Sequence, residues 1–461
     1  MQDAPALEAP AAVSQLDVRF PSALPLADAA SEQPVPSLAP SGPALLTMPT
    51  YGGTLAAVRA LGAAGIPVTV AGTELLAPAR WSRHTQRFVS CPDPRELDRF
   101  TEWLLRFGER EPGHFLYPTS DDLAWLFATR AEELRRHYLL FQPPVATIVQ
   151  LLDKKRLHTV CSEVGLPTMP TWFPADAGEV EQLQRELPFP LVIKPRTQVL
   201  LTTRNHGELV LDRDELVRRY RAWCSRDRYL PGSEADFGDV SGPMLQRFAS
   251  SADLGVYSIS GFVARNGAVL GARASRKVLQ RPSRVGVGMC FEDAPVEQSV
   301  LEGLARLCRR VGYFGVFEAE FVVESDRHQL IDFNPRFYGQ MHFEIARGLP
   351  LPLLAYHSAR GEEAELVRLA ADAREHDSRG SVYVFGFALG MLLTLGGLTG
   401  TVSPAEKLRW KTWYGEHQGR VVDGLVVRGD RMPAVVDGAQ IVWSALRHPR
   451  AYYRHILRSA G

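Results

Sequence analysis

Gly315-Val316-Phe317-Glu318-Ala319-Glu320-Phe321, followed across Ser325-Asp326-Arg327-His328 by Ile331-Asp332-Phe333-Asn334-Pro335-Arg336, is the stretch that decides the fold. Both halves alternate acidic or amide side chains with apolar ones, the two-residue period of β-strands. A hairpin centred on Asp326 puts Glu320 directly opposite Asp332, with Glu318 and Asn334 on the same face. Two carboxylates facing each other across a ladder repel. A hard divalent cation would remove that penalty, and carboxylate and amide oxygens suit magnesium or manganese. The expectation is therefore a patch of oxygen ligands on otherwise apolar strands, with Arg336 just beyond it.

Upstream, the pattern is that of alternating strands and helices. Ala44-Leu45-Leu46-Thr47-Met48 reads as a short apolar strand and Tyr51-Gly52-Gly53 as a turn. A helix follows from Thr54 to Ala64, capped by Gly65, and residues 66–70 form a second strand. This is the start of a doubly wound parallel sheet. The Gly pair lacks the full G-x-G-x-x-G pattern and reads as a structural turn rather than a phosphate cradle. A second unit has a helix over 97–107, a strand ending at Tyr117-Pro118, and a helix opened by Asp121 or Asp122 that runs to His137. Pro143-Pro144 closes this domain near residue 147. Beyond it lie a helix from Asp153-Lys154-Lys155 to Gly165 and a short helix over 180–186. An apolar strand then ends on Lys194, and a helix over 209–224 follows. Strands over 244–248 and 256–264 and a helix over 298–311 complete the approach to the hairpin.

The chain has 461 residues, enough for two or three packed subdomains rather than one core. Lys plus Arg balance Asp plus Glu at 52 each, so no net field draws nucleic acid to it. Five scattered cysteines without a C-x-x-C pair argue against a disulfide framework or a zinc site and for a reducing, cytoplasmic compartment. Residues 1–43 are rich in Ala, Pro and Ser, lack the pattern of a signal peptide, and read as a disordered tail. Residues 381–400 carry no charge. They read either as a buried strand followed by a short helix or, with the C-terminal Arg447, Arg450, Arg454 and Arg458 beside Tyr452 and Tyr453, as a membrane contact.

The hairpin resembles the metal-binding end of the ATP-grasp fold, where an acid on one strand faces an acid-x-Asn-Pro-Arg on the next. The resemblance covers roughly residues 44 to 360 and implies an α/β protein, an ATP-grasp fold preceded by a Rossmann-like domain. It implies residues 44–147 as the preceding domain and 148–360 as the ATP-grasp domain in two subdomains. Residues 361–461 are an extension that either packs on the core or lies near a membrane. By the same resemblance Glu320, Asp332 and Asn334 are the magnesium (or manganese) ligands, with Asp332 one methylene shorter than the family's usual Glu. Arg336 meets the transferred phosphoryl group or the substrate carboxylate. Lys154, which follows Asp153, and Lys194 at its strand end resemble the two phosphate-contacting lysines.

Met244-Leu245-Gln246-Arg247-Phe248 resembles the hinge strand that holds adenine, giving Gln246, Arg247 and Phe248 as nucleotide contacts. Arg247 stands where the family usually has an acid, which leaves Asp253 as the candidate for the ribose hydroxyls. The basic stretch 273–277 and the glycines 286–288 resemble the loop that closes over the phosphates, with Lys277 as its catalytic lysine. The Gly-rich loop common after the second lysine is missing. Thr202, Thr203 or Arg204 stand in its place. The implied activity is an ATP-dependent ligase joining a carboxylate to an amine. The alternatives are an enzyme forming carboxyl or carbamoyl phosphate from bicarbonate, and a non-catalytic nucleotide-binding or membrane-associated protein.

Overall fold

The computed structural model describes residues 42–203, 207–249, 255–281, 286–376 and 379–447. Among these residues the strands form three sheets. The first holds β1 (Ala44–Leu46), β2 (Val68–Ala71), β3 (Arg87–Val89), β4 (His114–Leu116) and β5 (Tyr138–Leu140) in the order β3-β2-β1-β4-β5. Every pairing in it is parallel. Such strands are covered on both faces, which is why Ala44-Leu45-Leu46 is an unbroken apolar run and fully buried. The strand order runs outward from β1 in both directions, so the carboxyl ends of β1 and β4 form the switch point of this sheet. The helix expected to run from Asp121 to His137 is instead two, Asp121–Thr129 and Ala131–Leu134, and Ser120 caps the first by accepting from the Leu123 N–H.

The second sheet is antiparallel: β6 (Thr171–Trp172), β7 (Leu191–Lys194), β8 (Glu208–Val210) and β9 (Met244–Arg247), ordered β6-β9-β7-β8. Here the helix expected over 209–224 starts later, at Arg213. Residues 208–210 are used as a strand against β7, and Asp212 caps the helix by accepting from the Glu215 N–H. Leu216, Tyr220 and Trp223 then pack on Leu191, Ile193 and Leu245 of the sheet.

The third sheet carries the hairpin. It holds β10 (Val256–Val263), β11 (Val269–Arg281), β12 (Val287–Ala294), β13 (Gly315–Glu324), β14 (Arg327–Asn334), β15 (Val382–Val384) and β16 (Val421–Asp423), ordered β14-β13-β10-β11-β12-β15-β16. The helix Gln298–Val311 lies where the sequence placed it, ending on Gly312 in the left-handed region at φ 70°. Residues 273–277, expected in a closing loop, lie inside β11, and Gly288 lies in β12. The reason is a partner the sequence reading lacked. Leu279, Met289 and Cys290 pack against Val384, Leu389 and Leu392 of the C-terminal extension, which turns both segments into covered strands.

That extension completes the core. Residues 381–400 form β15 and the helix Gly386–Thr399, the strand-then-helix arrangement, and no helix among the described residues is long and apolar enough to cross a membrane. β15 pairs with β12, and β16 adds in parallel. The extension is also fastened to the first sheet's layer. Arg59, on the helix Gly52–Ala63, donates from Nε to Asp430 Oδ2 at 2.8 Å, and both side chains are almost fully buried.

Candidate active site

The site begins with the register of β13 and β14. The turn is Ser325-Asp326, both residues in the left-handed region at φ 47° and 62°, as a tight two-residue hairpin requires. Such a turn pairs Glu324 with Arg327 and, continued, would set Glu320 against Ile331. A bulge at Ile331 intervenes, so that Phe321 pairs with Leu330 but Glu320 pairs with Asp332, and Glu318 with Asn334. The sequence reading reached this pairing from a hairpin centred one half-residue away, without the bulge. The bulge decides the chemistry, because a one-residue slip would turn Asp332 to the opposite face.

Cations arrive at this face from three directions. Lys154 opens the helix Lys154–Glu163 and places Nζ 2.7 Å from Asp332 Oδ1. Its N-cap, Asp153, is fully buried and fixed by Arg196 at 2.6 Å. Lys277 reaches from β11 across β10 to Glu320 Oε1 at 2.7 Å. It can do so because the β10 residue opposite Glu320 is the small Ser258. Lys194, at the end of β7, donates to Gln246 Oε1 at 3.0 Å. The like-charge penalty inferred from sequence is thus removed by ammonium groups: each of the facing carboxylates has its own lysine.

Burial would lower the ammoniums of Lys154 and Lys277, but the Asp332 and Glu320 carboxylates hold them above the usual lysine value. Burial would likewise raise Asp332, but Lys154 and Lys194 bring it below the usual carboxylate range. Lys194 has no carboxylate of its own, and burial pushes it down to about 8. Glu318 goes the other way, to about 8, through burial and the charge of Glu320. It accepts from Asn334 Nδ2 at 3.2 Å and from the Gln340 amide. Among the described residues no group of three or more His, Cys, Asp or Glu gathers as a metal cluster, so Glu320 and Asp332 form a two-carboxylate set beside the Asn334 amide.

Arg336 is held from the other side of the site. It donates to Asp121, to Asn334 Oδ1 at 2.9 Å and to the Tyr51 hydroxyl at 3.2 Å, with its guanidinium over the Tyr51 ring.

No family model matches the chain, and no curated protein matches it. Solved structures do. Biotin carboxylase of Campylobacter jejuni, determined as a β-γ-ATP complex, aligns over 70% of this chain and 71% of its own, with a TM-score of 0.55 and 16% identity. The L-amino acid ligase of Bacillus licheniformis aligns over 71% and 77%, with a TM-score of 0.53 and 16% identity. The biotin carboxylase domain of the Hydrogenobacter thermophilus 2-oxoglutarate carboxylase aligns over 70% of each chain, with a TM-score of 0.53 and 18% identity. The chain has the ATP-grasp fold.

Within the ATP-grasp fold, two site residues were missed by sequence reasoning. Tyr51 was read only as part of a turn and Asp121 only as a possible helix start. They follow β1 and β4, so they lie at the switch point of the first sheet. That placement was the signal, and it needed the strand order to be read. The neighbouring Gly52 and Gly53, expected in a turn, are instead the first two residues of the helix Gly52–Ala63, with Tyr51 as its N-cap, and their role is close packing. A Cβ on Gly52 would meet Gly339 O at 2.6 Å, and one on Gly53 would meet Tyr338 O at 2.7 Å. The glycines let the chain beyond Arg336 close against the N-terminus of that helix.

On the β9 side, Gln246 is tied to Lys194 and, through Nε2, to the Thr171 hydroxyl at 3.1 Å. A small cleft here is lined by Met244 and Gln246 of β9, Leu330 and Ile331 of β14, and Lys154. Phe248 and Ile331 both pack against the small buried cluster of Met169, Ala249 and Val322. Arg247 is turned away, in an ion pair with Glu324, so the structure does not bring it to the other site residues. Asp253 and Arg204 lie outside the described residues. Where a Gly-rich loop was missing, residues 196–201 are packed. Val199, Leu200 and Leu201 are buried, and the Leu200 N–H, in a left-handed residue at φ 57°, donates to Asp122 at 2.6 Å.

Proposed function

We propose that this chain is an ATP- and magnesium-dependent ligase that activates a carboxylate as an acyl-phosphate and joins it to an amine. The observation that carries this reading is one face of β13 and β14, where Glu320, Asp332 and Asn334 lie among Lys154, Lys277 and Arg336. Lys194 stands close enough for its charge to be felt there. The donors fit the ion: two carboxylates and an amide are hard oxygen ligands of the kind that hold magnesium (or manganese) together with phosphate oxygens. Ammonium groups now sit on both carboxylates at 2.7 Å, so a divalent cation can take their place while the lysines turn to phosphate. When bound, the ion neutralises charge on the transferred phosphoryl group.

The chain's own groups then have distinct tasks. Lys154, Lys194 and Lys277 hold phosphate oxygens. The β9 backbone and Gln246 face the base in the cleft beside Phe248. Arg336 meets the transferred group or positions the acceptor carboxylate. The amine attacks the acyl-phosphate carbonyl carbon, the C–O bond to phosphate breaks, and inorganic phosphate leaves as the amine loses its proton, so no covalent nucleophile of the protein is required.

The test is ADP release from the purified protein with panels of carboxylates and amines. Release that requires one of each supports the ligase. Release with bicarbonate and no amine would replace it with a carboxyl-phosphate-forming enzyme. Tight ATP binding without release under any condition would sink the enzymatic reading. In the same assay Asp332→Asn is expected to lower turnover by about a hundredfold or more with the fold retained. Full activity in that variant would remove Asp332 from the ion site.

Lys194 supplies a pH dependence. Its folded-state value near 8 means the ammonium is present below that pH and lost above it. A polyphosphate anion favours the charged form. ATP affinity is therefore expected to weaken as pH rises through about 8, with proton uptake on binding, both measured by calorimetric titration in buffers of different ionisation enthalpy. Lys194→Met should flatten this profile. A wild-type profile already flat through that range would contradict the assignment.

A further inference from the structure

The helix Met432–Arg447 contains features the catalytic reading leaves unused. Before Arg447 it has a single ionisable side chain, Asp437, which is half-buried. Val435, Val442, Trp443 and Leu446 are exposed at 60%, 43%, 58% and 75%, and with Phe387 and Val426 they line an apolar groove of about 620 Å³. Trp81 lies in the one-turn helix Pro78–Trp81 that packs on this helix, and it is also exposed, with the Arg80 guanidinium 5.9 Å from its ring. Isolated exposed apolar residues are ordinary, but a groove of them with tryptophans beside it marks an interaction surface.

Charge identifies the partner. The chain as a whole balances 52 basic against 52 acidic residues. After Asp437 there is no acid up to the last residue, whereas Arg447, Arg450, Arg454 and Arg458 all fall there, with Tyr452 and Tyr453 between them. An apolar helix face with tryptophan, continued by an acid-free run of arginines, is complementary to a bilayer with anionic headgroups. The apolar face enters the headgroup boundary while the arginines meet phosphate and carboxylate charge.

We propose that this face docks the protein on the surface of an anionic lipid bilayer. The association is peripheral: no helix among the described residues is long and apolar enough to span a bilayer.

The test is co-sedimentation of the full chain with vesicles of phosphatidylcholine alone and of phosphatidylcholine mixed with phosphatidylserine. Binding to the mixed vesicles is expected to be about tenfold stronger or more, and to weaken with added salt. Trp443→Glu with Leu446→Glu should reduce it by about tenfold or more, leaving circular dichroism and ADP release unchanged. Truncation after Arg447 should also weaken it. Three results would overturn the proposal. One is no preference for the anionic vesicles. Another is a truncation that strengthens binding, which would mean that the last residues cover the groove. The third is a dimer in solution that the double substitution dissociates, with no vesicle binding by either form.

Discussion

Arg336→Gln is expected to lower carboxylate-dependent ADP release by about three orders of magnitude or more, the scale on which an arginine stabilises a phosphoryl group in transfer. Arg336 is suited to that task because it is fixed before any ligand arrives. Asp121 and the Asn334 and Tyr51 oxygens hold three sides of its guanidinium. Burial alone would make it easier to deprotonate, but Asp121 and Tyr51 outweigh that, and it stays charged. Glutamine keeps part of the hydrogen bonding and removes the charge. It also leaves Asp121 unpaired, so some loss of stability accompanies the loss of activity. Adding Asp121→Asn should recover that stability without recovering turnover. If Arg336→Gln released ADP at the wild-type rate, the arginine would be a strut between the first sheet and the hairpin and nothing more.

The largest effect on stability is expected at Asp430. Its carboxylate receives the Arg59 Nε–H, the Ser82 hydroxyl and the Arg83 N–H, each at 2.8 Å. Asp430→Ala leaves the buried Arg59 guanidinium with only the carbonyl oxygens of Gly424, Leu425 and residue 430 as acceptors. An uncompensated buried charge of this kind costs about 3–5 kcal/mol. Urea unfolding should register that loss, and limited proteolysis should show the C-terminal extension released first. Burial would raise the Asp430 carboxyl, but Arg59, Ser82 and the Arg83 N–H bring it below the ordinary value. Its contribution is therefore complete above the unfolded-state pKa and disappears as pH falls through the folded-state value. An unfolding midpoint unchanged in Asp430→Ala would mean that the extension is not fastened there.

The hairpin and the approach to it were readable because their signals are local. Alternation over 315–334, a lysine closing an apolar strand at 194, and an Asp-capped helix beginning at 154 each depend on neighbours within a few residues. What the sequence left hidden depends on distant partners. The bulge at Ile331 is set by where two strands must meet, not by the residue itself. Lys277 lies in a basic stretch that, with the glycines after it, resembles a loop closing over phosphates, but pairing with β10 and with β12, which β15 covers in turn, makes that stretch a strand. Tyr51 and Asp121 look ordinary until the strand order brings β1 and β4 side by side. Arg247 matched a nucleotide-contact position, yet Glu324 on the neighbouring sheet captures it.

The central claim is that oxygens of Glu320 and Asp332 jointly take a divalent ion when a nucleoside triphosphate enters between the lysines. Crystals grown with Mn²⁺ and a non-hydrolysable ATP analogue would test it through the anomalous signal of manganese. The expected result is a peak within about 2.2 Å of a Glu320 oxygen and an Asp332 oxygen, with Lys154 and Lys277 moved onto phosphate. Bound nucleotide with no manganese peak between these carboxylates, and with both lysines still paired to them, would contradict the account.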